Sequence, residues 1–251
     1  MKKALLVISM VLTSLSTQAA DIIKIGVAAE PYPPFSSKSA DGTWQGFEID
    51  LIHDVCERAQ LNCEIKDIAW DGIIPSLQGH KIDVIFNSMS ATAERAKKVL
   101  FTNPYYNTLP AVVGLEGQKF AFDKATLKGK IIGVQNSTIA AIYIKEKAGK
   151  LATIRYYDTQ DAVNSDLLAG RIDFMLSDDI SAVHFYKNNK AGLEYYGPVT
   201  YEESLGKGVA AAVRLDETAL AAKLNTAIDA LVVSEKYNDL SMKYFGTNIA
   251  P

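Results

Sequence analysis

The chain has 251 residues, 48% hydrophobic and 22% charged, with a net charge of −3. That balance belongs to a folded globular protein of one large or two smaller domains. No long run of like charge is present, which argues against a polyanionic partner such as nucleic acid.

The first twenty residues read as a targeting segment. Met1-Lys2-Lys3 is basic, Ala4 to Leu15 is apolar but too short to span a bilayer comfortably, and Thr17-Gln18-Ala19 supplies small residues at −3 and −1. Cleavage is expected after Ala19, with Ala20 as the alternative; a buried N-terminal helix is the competing reading. Loss of Lys2 and Lys3 takes no acidic residue with it and lowers the net charge from −3 to −5. No cysteine stands at the cleavage point, so no lipid anchor is expected. Export places the remaining chain in an oxidising compartment, where Cys56 and Cys63 are expected to pair. The three histidines, at positions 53, 80 and 184, are scattered, and no metal or cofactor site is expected.

Ile23, Ile25 and Val27 alternate with Lys24 and Gly26, a strand pattern. The prolines in Glu30-Pro31-Tyr32-Pro33-Pro34-Phe35 demand a loop, and Asp41-Gly42 marks a turn. Phe47 to Gln60 predicts an amphipathic helix, with Ile52, Val55, Cys56 and Ala59 on one face. A strand from Cys63 to Ile68, a short helix from Ile73 to Leu77 and a strand from Ile82 to Phe86 follow. After residue 110 the pattern resumes: strands at 111–115 and 131–134, a helix at 138–147, a strand at 154–157, a helix at 161–169 and a strand at 172–176. A strand over 208–213 and a long helix carrying Leu220, Leu224, Ala227, Ile228 and Leu231 close the series. Such alternation implies an α/β fold with mostly parallel sheets. Leu77 to Asp83 (LQGHKID) also echoes Leu168 to Asp173 (LAGRID), each ending a helix and opening a strand that polar residues follow. Two such units suggest two lobes offering polar groups to one cleft.

Three stretches carry chemistry. Asn87-Ser88-Met89-Ser90 with Arg95 places hydroxyls, backbone N–H groups and a guanidinium after a strand, a set suited to a carboxylate; helix capping by Thr92 or Ser90, with Arg95 on the surface, is the alternative. Gln135-Asn136-Ser137-Thr138 lies at a helix start, where free N–H groups attract anions; capping by Ser137 or Thr138 competes with that reading. Asp178, in Ser177-Asp178-Asp179, suits an ammonium group, or this stretch caps a helix through Asp179. Tyr32, Phe35 and Trp70 are aromatic candidates beside these stretches, with core packing as the alternative for each. Glu30 is either a pocket carboxylate or simply solvated. Nucleophile-elbow, phosphate-loop and paired-cysteine motifs are missing, and nothing argues for an enzyme.

Taken together, several motifs resemble the polar amino-acid-binding proteins of ABC importers, the family of the histidine, lysine/arginine/ornithine and glutamine receptors. They are Tyr32-Pro33-Pro34-Phe35, Gly46-Phe47-Glu48-Ile49-Asp50-Leu51, Trp70-Asp71-Gly72-Ile73, Glu94-Arg95, Phe101 to Tyr106, Gly170-Arg171-Ile172-Asp173 and Lys243-Tyr244-Phe245-Gly246. The resemblance covers essentially the whole chain after the targeting segment. It implies a two-lobed type II periplasmic binding protein with two hinge crossings. Lobe 1 would comprise 21–104 and 208–251, lobe 2 residues 110–202, and the hinge segments 105–109 and 203–207. It also implies a monomeric receptor that delivers its amino acid to an inner-membrane ABC permease, and a Cys56–Cys63 disulfide as in the histidine-type receptors.

Carried over by position, Arg95 would grip the ligand α-carboxylate with Ser90 and the backbone near Thr138. Asp178, Ser88 and Ser90 would hold the α-ammonium, and Tyr32 and Trp70 would flank the side chain. Two departures stand out. The family's acidic side-chain reader lies three residues before the tyrosine, where this chain has Ala29, with Glu30 one residue later. The second threonine of the lobe-2 anion loop is Ile139. A cationic, arginine-like ligand is expected, with an opine or a neutral amide amino acid as alternatives. A periplasmic cyclohexadienyl dehydratase resembles the same family, but its glutamate three residues after the lobe-2 aspartate is Ser181 here, which cannot serve as that general acid. A sensor domain of a signalling protein is the third and weakest reading.

Overall fold

The computed structural model describes residues 21–251. The expected targeting segment, residues 1–20, and both cleavage positions lie outside the described residues.

Strand β1 (Ile22–Ala28) forms where expected, but its burial does not alternate: Ile25 to Ala28 are all buried, Gly26 lying under Ile82. A loop and a two-stranded ribbon, β2 (Ser37–Lys38) and β3 (Trp44–Gln45), lead to α1 (Phe47–Arg58). Gly46 starts this helix with a φ of 132°, and a Cβ there would meet the Phe35 carbonyl oxygen at 2.2 Å. Only glycine suits the position, so the helix is pressed onto the loop that carries Tyr32. Strand β4 (Asn62–Ile68) follows, and Cys56 and Cys63 are joined across the connection. A 3₁₀ turn at Trp70–Gly72 opens α2 (Ile73–Gln78). Strand β5 pairs only through Val84–Ile85, shorter than expected, although Ile82 and Phe86 on either side are buried. Helix α3 (Ala93–Ala96) and strand β6 (Leu100–Tyr106) complete this stretch.

The chain then crosses to a second sheet. It contains β7 (Pro110–Leu115), α4 (Lys124–Leu127), β8 (Ile131–Gln135), α5 (Ile139–Ala148), β9 (Thr153–Tyr157), α6 (Gln160–Leu168), β10 (Phe174–Asp178), α7 (Asp179–Asn188) and β11 (Leu193–Pro198). The return passes a 3₁₀ turn at Glu203–Leu205 and ends in β12 (Val209–Val213), α8 (Thr218–Val232) and α9 (Glu235–Phe245).

The first sheet has the order β4-β1-β5-β12-β6 and the second β11-β7-β10-β8-β9. In the first, β12 is antiparallel to both neighbours while β1 is parallel to β4 and β5. In the second, β7 is antiparallel to both neighbours while β8 is parallel to β9 and β10. Four strands of each sheet therefore run the same way, and the reversed strand is the one that enters directly from a crossing. Each sheet has its own apolar core, centred on Ile25, Ile52, Val84 and Ile228 in one and on Val112, Val134, Ile144 and Leu176 in the other.

The sequence echo has a structural counterpart. Asp83 Oδ2 accepts from the Lys24 N–H at 3.0 Å, and Asp173 Oδ2 accepts from the Ile131 N–H at 2.9 Å. Ile82 and Ile172 lie over Gly26 and Gly133, where a Cβ would fall 2.3 and 2.4 Å from their methyl groups. In both sheets the same device fastens the incoming strand beside its parallel neighbour.

Candidate functional site

Polar residues gather where the parallel strands end, as expected for open α/β sheets. A cleft of about 620 Å³, open solvent included, lies between the two sheets. Ala28 at the end of β1, Asn87 and Ser88 after β5, Gln135 at the end of β8 and Leu176 to Asp178 at the end of β10 all line it. Glu30, Tyr32, Trp70, Ser90, Arg95 and Thr138 complete the set of expected residues found there.

Among the described residues, five side-chain hydrogen bonds cross the cleft. The Tyr32 hydroxyl donates to Asp178 Oδ2 at 2.8 Å and lies 3.2 Å from Ser177 Oγ. Arg95 Nη2 donates to the Ser137 carbonyl at 2.9 Å, and Trp70 Nε1 to the Asn136 carbonyl at 3.1 Å. Ser181 Oγ donates to the Pro33 carbonyl at 3.3 Å. The two halves therefore already touch through the residues that line the space between them.

Arg95 sits in α3, whose N-cap is Thr92; the Thr92 hydroxyl accepts from the Arg95 N–H at 3.3 Å. Capping and pocket lining thus coexist in one turn. Arg95 Nη1 donates to the Ser90 carbonyl at 3.0 Å, and the guanidinium lies over the Trp70 ring at 5.4 Å. These contacts hold the plane and leave further N–H groups for a bidentate acceptor. Burial lowers the Arg95 pKa to about 10, against the pull of Asp178, so the group stays cationic at neutral pH.

Asp178 occupies the N-cap position of α7, yet its side chain makes no capping bond and accepts from Tyr32 instead. Burial raises its pKa to about 6, opposed by the Tyr32 hydrogen bond and the Arg95 charge. Glu30 also lines the cleft, and its Oε2 is buried without a hydrogen-bond partner. Its one-residue displacement next to Pro31 does not turn it away from the cavity.

Two expected site residues are placed elsewhere. Phe35 is fully buried in the first core, stacked on Tyr32 at 5.8 Å and on Tyr106 at 5.2 Å. The loop closes through reciprocal backbone bonds between Tyr32 and Ser36, which puts the Phe35 ring inside. Ser137 has an exposed side chain outside the lining and reaches the site only through its carbonyl. Thr138 caps α5, accepting from the Ala141 N–H at 3.0 Å, while still lining the cleft.

Besides Ala28 and Leu176, Pro31, Ile139, Ala140, Gln160 and Ser177 line the cleft without having been expected as site residues. Ser177 belongs to a stretch already singled out. Gln160 is the first residue of α6, one position after the capping Thr159, and so lies in the same kind of strand-to-helix connection as Gln135 to Thr138. Ile139 stands in the anion loop noted above, whereas the other apolar lining residues read as core and carry no such signal. Among the described residues no cluster of His, Cys, Asp or Glu is arranged to hold a metal, and no helix is long and apolar enough to cross a membrane.

Residues 23–247 match the bacterial extracellular solute-binding proteins, family 3. The chain is 40% identical over 258 residues to the L-arginine-binding protein of Pseudomonas aeruginosa, across 99% of this chain and 98% of that protein. The fold is similar to that of an ancestral arginine-binding protein bound to arginine, with a TM-score of 0.81 and 31% identity over 90% of this chain and 98% of the other. It is also similar to an ancestral amino acid-binding protein described as a precursor of cyclohexadienyl dehydratase, with a TM-score of 0.78 and 26% identity over 89% of this chain and 95% of the other.

Proposed function

Because the chain belongs to family 3 of the bacterial extracellular solute-binding proteins, we propose that it is a periplasmic receptor that captures a cationic amino acid, arginine before others, and delivers it to an ABC permease. The observation that carries the ligand class is the buried, unpartnered Oε2 of Glu30 in a cleft that also holds Arg95. A desolvated carboxylate oxygen is costly unless a donor or cation meets it. A ligand cation that satisfies Glu30, with a carboxylate on Arg95, stabilises both otherwise unfavourable groups at once.

In this reading Arg95 holds the α-carboxylate and Asp178 the α-ammonium, helped by Ser88 and Ser90. Tyr32 and Trp70 offer aromatic faces, which suit a planar guanidinium better than a compact ammonium. Gln135 and Gln160 add amide groups, and Thr138 fixes the start of α5 beside the carboxylate. The lobes are 21–104 with 208–251, and 110–202. They close on the ligand by bending at the two connecting segments. The connecting segments are 105–109 and 203–207, and β6 runs through Tyr106 into the first of them. Export removes the targeting segment by cleavage after Ala19, or after Ala20, and the receptor works as a monomer.

The role is binding rather than catalysis. Ser181 takes the position where the dehydratase pattern requires a glutamate, and its hydroxyl is engaged with the Pro33 carbonyl. A thermal-shift screen of the twenty amino acids plus ornithine, citrulline and opines tests the assignment, because a true ligand raises the melting temperature by mass action. Arginine should give the largest rise. A rise with glutamine or an opine and none with arginine would replace the ligand, and silence across the whole panel would remove the amino-acid reading.

A further inference from the structure

Glu48 is 1% exposed although it is a carboxylate, and among the described residues no Lys or Arg pairs with it. It stands in the first turn of α1 and points at the pocket wall. Its Oε1 accepts from the Tyr105 hydroxyl at 2.6 Å and from the Ser88 N–H at 2.8 Å, and its Oε2 accepts from the Ser88 hydroxyl at 2.9 Å. The Tyr106 hydroxyl lies 3.5 Å from Oε1. A buried unpaired charge is unfavourable, and these donors only offset part of that cost. An apolar residue would pack the same space without it, so the carboxylate calls for another explanation.

We infer that Glu48 is a positioning residue that fixes the direction of the Ser88 hydroxyl, making the Ser88 oxygen an acceptor for the ligand ammonium. The inference rests on the ligand orientation proposed above. A serine hydroxyl has one proton and two lone pairs. An ionised carboxylate can only accept, so the Ser88 proton is committed to Glu48 and lone pairs alone face the cleft that Ser88 lines. The Ser88 backbone has a φ of 46°, and its N–H donation to the same carboxylate holds it there. Tyr105, near the end of β6 where the chain starts to cross, binds the same oxygen, so Glu48 joins the ammonium site to the base of the hinge.

The arrangement has a built-in proton dependence. Burial raises the Glu48 pKa to about 7. The titratable groups that face it are Tyr105 and Tyr106 from β6, Tyr237 from α9 and Asp178 across the cleft, and none is a cation. A protonated Glu48 donates from Oε2 to Ser88 Oγ, and the Ser88 proton then turns into the cleft, toward an ammonium that has only donors. Affinity for an amino acid therefore falls as pH drops through about 7, before Asp178 adds its own loss near 6.

Calorimetry with L-arginine on the full chain, from about pH 8 to pH 6.5, tests this through a double-mutant cycle. Glu48→Gln imitates the protonated state, because its amide donates to Ser88. It should lower arginine affinity roughly tenfold at the higher pH and remove the wild-type loss between the two. Ser88→Ala should also remove that loss, and Glu48→Gln should cost nothing further in the Ser88→Ala background. A pH step that persists in Ser88→Ala, or additive losses in the double variant, overturns the inference. If Glu48→Gln does not fold, the Ser88→Ala profile decides alone: step lost supports, step kept refutes. Wild-type protein that ignores arginine at every pH overturns the receptor reading and this inference with it, whereas arginine binding with no pH step overturns the inference only.

Discussion

The Tyr32 hydroxyl donates to Asp178 Oδ2 across the cleft at 2.8 Å, joining the loop after β1 to the end of β10. This bond uses one of the carboxylate's acceptor sites and leaves Oδ1 for the proposed ligand ammonium. Asp178→Asn should cost about 2–5 kcal/mol of arginine binding, because the ammonium loses its counter-charge inside the closed cleft. Comparison with arginine stripped of its α-amino group checks the role: wild-type protein that binds both equally does not use Asp178 in this way.

Arg95→Ala should abolish arginine binding while leaving most of the fold stability, since its contacts are to two carbonyls and one ring face rather than to a core. Arg95→Lys should not restore it, because an ammonium cannot reproduce the planar fork. Near-wild-type affinity in either variant, measured by calorimetry, would place the carboxylate elsewhere.

Much of this site was legible in the sequence because its polar residues follow apolar strands directly. Asn87-Ser88, Gln135 and Asp178 all lie at such junctions. Phe35 was misplaced because periodicity does not describe a proline loop, and only the backbone closure between Tyr32 and Ser36 decides which ring points inward. Strand β6 was hidden by Asn103-Pro104, which reads as a break; its register with β12 shifts beside Pro104 and tolerates the missing donor. Helix α7 entered the sequence reading only as the alternative in which Asp179 caps a helix, because it fully buries only Ser181 and Ala182, with Ile180, Phe185 and Tyr186 half-buried. Helix α9 fully buries Tyr237, Leu240 and Ser241 and packs Tyr244 and Phe245 half-buried on the same core, but the sequence reading did not assign it as a helix.

Cys56 and Cys63 should give no free thiol in denatured, unreduced protein purified after export. Reduction should lower stability by about 2–3 kcal/mol, the entropy of a short closed loop. Two reactive thiols would contradict both the bridge and the oxidising compartment.

Stability and affinity should respond to pH with opposite signs. Glu48 and Asp178 have folded pKa values of about 7 and about 6, raised by burial above their ordinary 4.5 and 3.8. Groups raised in this way contribute most to stability at low pH, and that contribution is lost as pH rises through the folded values. The melting temperature of the ligand-free protein should therefore climb from about pH 8 to pH 6.5, above the range where His184, held down by burial, works the other way. A melting temperature that falls over this interval would mean that the two carboxylates are not enclosed as described.

The central claim is that a cation meets Glu30 in the closed cleft. Its most direct measurement is a calorimetric titration of wild type and Glu30→Gln with arginine and with glutamine. Arginine should bind the wild type and lose roughly tenfold or more in the variant, about 1.4 kcal/mol, while any glutamine binding changes little. Equal arginine affinity in the two proteins, or no arginine binding by the wild type, would contradict the account.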